Sequence, residues 1–160
     1  MNRRLGIGII ALLALSGCGV NPITPYLGRW HADFLVEKLL RGDSADARKR
    51  ESLHGYLQVY ATENRFKMQL EGEQQGIDLT GNWILDKEKI RLKCSEIKID
   101  DHGGSDKRDP NLKYIDSDVI RATYAREIIL RRSKDHTKLV GLEITVGNLL
   151  GHHEMNRSLD

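Results

Sequence analysis

Chemistry in this chain would have to come from its histidines, its two cysteines or one acidic loop. His152-His153-Glu154 is the densest group of metal-type donors, and His102 and His136 could add to it. A structural zinc site needs about four donors held rigidly. These donors have no ligand spacing, and the first three fall in a polar C-terminal stretch that reads as a frayed, solvated tail. His31 and His54 have no serine or cysteine nucleophile at a catalytic spacing. Cys94 follows Ile90 and Leu92 in alternation with Arg91 and Lys93, so it reads as a core-facing strand residue. A reactive thiol would want a nearby histidine and an electropositive, partly open setting. Asp100-Asp101-His102-Gly103-Gly104-Ser105-Asp106 has a calcium loop's composition without the order and terminal glutamate of one. Nucleophile elbow, phosphate-cradling loop and His-Glu-x-x-His are all lacking. The reading is of a non-catalytic chain with no cofactor and no metal site.

Cys18 is the exception, and its chemistry is that of an anchor. Arg3 and Arg4 precede an apolar, uncharged run from Leu5 to Leu15, and small residues lead straight into the cysteine. That is the layout of a secretory signal, and the run is short of the roughly 20 residues a membrane-spanning helix needs. Leu15-Ser16-Gly17-Cys18 resembles the lipobox of bacterial lipoproteins at all four positions. The resemblance implies that Cys18 is diacylated through its thiol, that residues 1–17 are removed, and that the new amino group is acylated. Two or three chains make anchoring durable where one is marginal. In enteric-type bacteria, family sorting rules retain lipoproteins with aspartate after the cysteine in the inner membrane. Gly19 stands there in this chain, which implies the periplasmic face of the outer membrane.

Charge narrows the partners. The full chain has 25 basic and 23 acidic residues. Residues 1–17 take away Arg3 and Arg4 and no acid, so the mature chain is formally neutral. It lacks the surplus cations that neutralising nucleic-acid phosphates requires. Arg48-Lys49-Arg50 and Arg131-Arg132 are read as solvated local clusters. With Cys18 committed to lipid, Cys94 has no disulfide partner in the chain.

The mature chain is a natural size for one domain. Residues 18–26 read as lipidated cysteine and tether, reaching at most about 28 Å, and 27–150 as the folded domain. Trp30, Phe34 and the Val36/Leu39/Leu40 group recur at helical steps, so a helical segment is expected near the start. Trp30, Ala32 and Phe34 alternatively suit the inward face of a first strand. After Gly42, Asp43 or Ser44 can cap a second helical piece over 45–53. From Gly55 the period becomes two. Leu57/Val59/Ala61 and Phe66/Met68/Leu70 flank a Glu63-Asn64 turn, followed by strands through Ile77–Leu79, Trp83–Leu85 and Ile90–Cys94, with Ile97 and Ile99 as a continuation. Residues 100–118 form a long polar gap. Strand patterns return at 119–124, 127–132 and 138–146, and 151–160 is the polar tail. No strands alternate with crossover helices, so the sheet is antiparallel. A small barrel or curved meander of about seven or eight strands is expected, closure removing its exposed edges.

Tyr26-Leu27-Gly28-Arg29-Trp30 resembles the Tyr-x-Gly-x-Trp opening of lipocalins, and Gly81-Asn82-Trp83 repeats the Gly-x-Trp phrase. The resemblance implies a lipocalin-like β domain in which the first tryptophan plugs one barrel end. In that family a basic residue of the last strand lies across the indole, and Arg131 or Arg132 is the candidate here. Trp30, Tyr60, Phe66, Met68, Trp83 and Tyr124 are the large groups expected to line a pocket or fill the core. The functional expectation is a membrane-anchored envelope lipoprotein binding a small apolar ligand or an envelope protein. The alternative is a solid-core module that acts through a surface helix or the 100–118 loop.

Overall fold

The computed structural model describes residues 22–39, 52–72, 75–102, 115–146 and 149–158. The lipobox with Cys18, the second helical piece and most of the polar gap lie outside the described residues.

Among the described residues nine strands form one antiparallel sheet: β1 (Gly28–Leu39), β2 (Leu53–Val59), β3 (Arg65–Glu71), β4 (Gln75–Asp86), β5 (Lys89–Asp101), β6 (Ile128–Arg132), β7 (Lys138–Gly141), β8 (Ile144–Val146) and β9 (Leu149–Arg157). The strands β1 to β7 pair in sequence order, β7 pairs with β9, and β9 returns to β1. An eight-strand barrel is thereby closed, with β8 hydrogen-bonded to the flank of β9. This is the expected small antiparallel barrel. One short helix, α1 (Ser117–Tyr124), lies between β5 and β6.

Period-two patterning builds the wall. Trp30, Ala32, Phe34 and Val36 of β1 are buried, as are Leu57 and Val59 of β2 and Phe66, Met68 and Leu70 of β3. The residues between them carry Arg29, His31, Asp33, Tyr56, Gln58, Lys67 and Gln69 on the other side of the wall. An apolar lumen with a polar outer face is the reverse of a membrane-spanning barrel, whose lipid-facing band is apolar. Among the described residues no helix is long and apolar enough to cross a membrane.

Four expectations are corrected. The helical segment near the start is strand β1: the step from Trp30 to Phe34 suits both periods, and pairing with β2 and β9 on its two edges decides for the strand. The strand expected over 119–124 is α1. Asp116 caps it by accepting from the Asp118 N–H at 2.8 Å, and Ile120 and Tyr124, four apart, bury one face. The frayed tail is β9, the strand that closes the barrel. Finally, the tether ends earlier than Tyr26, because Ile23 and Tyr26 are buried around a short 3-10 turn at Thr24–Tyr26.

Two glycines shape β1 and its seam with β9. Gly28 opens β1 at φ +102°, a conformation other residues rarely adopt. At Gly151 a Cβ would stand 2.2 Å from the Leu35 carbonyl oxygen, so the β1–β9 seam forms only without a side chain there.

Candidate functional site

The lumen is the natural place for a ligand site, and among the described residues its large inward side chains are almost fully buried. Trp30, Phe66, Met68 and Tyr124 are each 2% exposed or less, and Trp83 is 8% exposed. A side chain bordering a water-sized hollow would retain surface facing that hollow. Trp30, Phe66 and Met68 sit in the wall's inward rows, and Tyr124 reaches the core from α1. Tyr60 is not in the lumen: it is 43% exposed at the end of β2. Its carbonyl instead accepts from the Trp83 Nε1–H at 2.8 Å. Asn82 donates to the carbonyls of Glu63 and Asn64, so Gly81-Asn82-Trp83 ties β4 to the β2–β3 turn.

The floor of the barrel is built from the other Gly-x-Trp segment. The Trp30 Nε1–H donates to the Tyr26 carbonyl at 3.0 Å, and the Arg157 guanidinium lies over the indole, 5.0 Å from the ring centroid. The arginine across the tryptophan is therefore Arg157 of the last strand, not Arg131 or Arg132. Arg157 also donates to the Pro25 carbonyl at 3.2 Å, fastening the entering chain to the end of β9. Sequence reasoning missed Arg157 because it lies in the stretch read as tail.

His152-His153-Glu154 does not converge on one point. Side chains alternate along β9, so His152 turns outward to Glu37 at 2.8 Å and Glu154 to Lys138 at 2.5 Å. The Lys138–Glu154 hydrogen bond raises the lysine pKa and lowers the carboxyl's. His153 points inward and is fully buried. Its ring packs on Phe34 and Tyr124 with centroids 5.3 and 5.8 Å away, and its Nε2 is 3.4 Å from the Tyr124 hydroxyl. Nδ1 has no hydrogen-bond partner. Burial, and then the neighbouring His152, lower its pKa to about 4, against a weak opposing pull from the Asp33 carbonyl. At neutral pH His153 is an uncharged core residue. Among the described residues no three His, Cys, Asp or Glu side chains gather as a metal site.

Cys94 is half-buried against the core, and burial pushes its thiol up to about 11, far from a thiolate at neutral pH. Gln75 is a buried polar residue that the sequence did not single out. Its side chain donates to the Ile115 carbonyl at 2.7 Å and accepts from the Ile115 N–H at 3.1 Å, so it pins the chain just ahead of α1.

Grooves lie on the outer wall and at one barrel end. One, of about 610 Å³, lies between α1 and β8, lined by Val119, Thr123, Ile128 and Ile144. Another, of about 540 Å³, lies at the end where the chain enters, between Pro22, Tyr26 and the basic residues Lys87, Lys89, Arg131 and Arg132. Burial raises the Tyr26 hydroxyl pKa there, and Arg132 partly offsets it.

No family model matches the chain. No curated protein matches it either. Among solved structures it is similar to "Crystal Structure of Rv2717c from M. tuberculosis", at 14% identity and a TM-score of 0.40, over 85% of this chain and 94% of that one.

Proposed function

We propose that this chain is a bacterial lipoprotein acylated at Cys18, and that its barrel is a solid, non-catalytic module held at an envelope membrane and working through its outer surface on an envelope protein. Where the cell has two membranes, Gly19 after the cysteine favours the periplasmic face of the outer membrane. One observation carries the choice of surface over lumen. Of the side chains expected to line a pocket, Trp30, Phe66, Met68, Trp83 and Tyr124 join one buried core with 8% exposure or less and only Tyr60 lies outside it, and a closely packed interior admits a ligand only by moving several side chains. The polar outer wall and the apolar signal run with its cysteine support the rest of the reading.

Intact-mass analysis of protein extracted from membranes is expected to show a chain beginning at Cys18 with added acyl groups. Cys18→Ser should accumulate as unprocessed precursor, and a processed, membrane-held Cys18→Ser variant would end the anchor reading. Native mass spectrometry of residues 19–160, which hold all nine strands, is expected to show bare polypeptide. Co-purified lipid in stoichiometric amount would overturn the surface reading in favour of a ligand in the lumen.

A further inference from the structure

We infer that the end of the barrel where the chain enters is a docking surface for anionic phospholipid headgroups, holding the barrel upright on the membrane that carries its anchor. The inference rests on acylation of Cys18, and its test separates the two.

Strand order places the surface. The β4–β5 turn at Asp86–Lys89, the C-terminal end of β6, the β6–β7 turn from Ser133 and the last residues of β9 all lie at the end where Gly28 opens β1. Lys89 stands directly opposite Arg131 in the β5–β6 register, and like charges directly opposite oppose pairing. Among the described residues, none of Lys87, Lys89, Arg131 and Arg132 has a carboxylate within 4.0 Å. Of the nearby acids, Asp86 is 3.8 Å from Arg91, and Asp135 accepts from Ser133 and from the Thr137 N–H and keeps its charge at the β6–β7 turn. Glu88 alone contributes a carboxylate to the groove that these cations line. The mature chain is formally neutral, so this end is a local excess with counter-charges on the rest of the wall, such as Asp33, Glu37 and Asp78.

The tether supplies the occupant. Pro25 and Tyr26 are fastened to this same end by Arg157 and Trp30, and the chain from Cys18 to Pro22 reaches only about 14 Å when fully extended. An acylated Cys18 therefore holds the cationic groove within one or two Debye lengths of the lipid surface, the length being about 8 Å at 0.15 M salt. That is the range over which an anionic leaflet attracts lysine and arginine.

The test uses residues 19–160, without acyl groups, sedimented with vesicles of phosphatidylcholine alone or of phosphatidylcholine with phosphatidylglycerol. Binding is expected to phosphatidylglycerol vesicles only, weakening as salt rises and about fivefold for each cation removed. Lys87→Gln/Lys89→Gln and Arg131→Gln/Arg132→Gln are the variants. Lys93→Gln/Lys98→Gln, on another part of β5, should bind as the parent does, and unchanged thermal melting shows that each variant is folded. Equal binding to both vesicles, or loss no greater in the groove variants than in the control, overturns the docking surface. Unacylated Cys18 with charge-selective binding overturns the anchor and keeps the surface. Acylated Cys18 with no charge selectivity keeps the anchor and overturns the surface.

Discussion

A single histidine shows how far a residue's role depends on its register. His153 lies between His152, hydrogen-bonded to Glu37, and Glu154, paired with Lys138, yet faces Phe34 and Tyr124 with its Nδ1 unsatisfied. Its folded pKa of about 4 lies below the ordinary value of 6.5, so the unfolded chain takes up the proton first as pH falls. Its contribution is complete above pH 6.5 and is lost progressively as pH falls from 6.5 to about 4. The loss is on the order of 3 kcal/mol for this group at the low end. Denaturant titrations at stepped pH should show that slope in the parent and not in His153→Phe. At neutral pH the replacement should be near neutral in stability, since it removes an unsatisfied polar atom from an apolar contact. Gln75→Ala should cost about 1–3 kcal/mol by leaving the buried Ile115 N–H and carbonyl without partners. Hydrogen exchange should then rise ahead of α1 first.

At the scale of elements, β9 bears the closure. It pairs with β7 and β8 along one edge and with β1 along the other, and its end supplies the arginine over Trp30. Gly151→Ala would drive a methyl group into the Leu35 carbonyl and should destabilise the barrel by about 1–3 kcal/mol or more, with exchange of the β1–β9 amides faster than that of β3–β4. Arg157→Ala removes a cation–π contact of about 0.5–2 kcal/mol and a hydrogen bond to Pro25. Its melting temperature should fall, and Lys at 157 should recover only part of the loss, because an ammonium keeps the charge without the guanidinium's planar stack.

For the molecule as a whole, buried inward side chains and a polar wall separate the two jobs a small barrel can do. The strands hold the core, and the ends and outer face remain for contact. The chain's near-balance of 25 basic and 23 acidic residues conceals an asymmetry, since the groove cations gather at the end where the chain enters while paired residues such as His152–Glu37 and Lys138–Glu154 occupy the wall. Anchoring and orientation would then be coupled at one end, with the opposite end turned toward the envelope space. A fluorescent fatty-acid titration of residues 19–160 is expected to give no saturable uptake. Saturable binding that is lost in Met68→Trp would place the ligand in the lumen.

The antiparallel barrel was legible from alternation because burial on one side of a strand imposes period two whatever the partners are. The Glu63-Asn64 turn was legible for a similar local reason: both residues adopt positive φ there, and that chemistry is short-range. Other features had no local signal. Trp30 and Phe34 satisfy helix and strand periods alike, and only pairing on both edges of β1 resolved them. Val119, Ile120 and Tyr124 are strand-type residues, and the Asp116 cap together with burial on the barrel made them a helix. The residues from Gly151 to Arg157 look polar in one dimension. In the closed sheet their alternate members face inward between β1 and β7, so a stretch that reads as tail completes the barrel. The sequence alone determined the wall's alternation, the lipobox pattern and the lack of catalytic spacing. Which strand closes the ring was decided by pairing between residues more than a hundred positions apart, and which cations share one end by the β5–β6 register, because such contacts exist only once the sheet has formed.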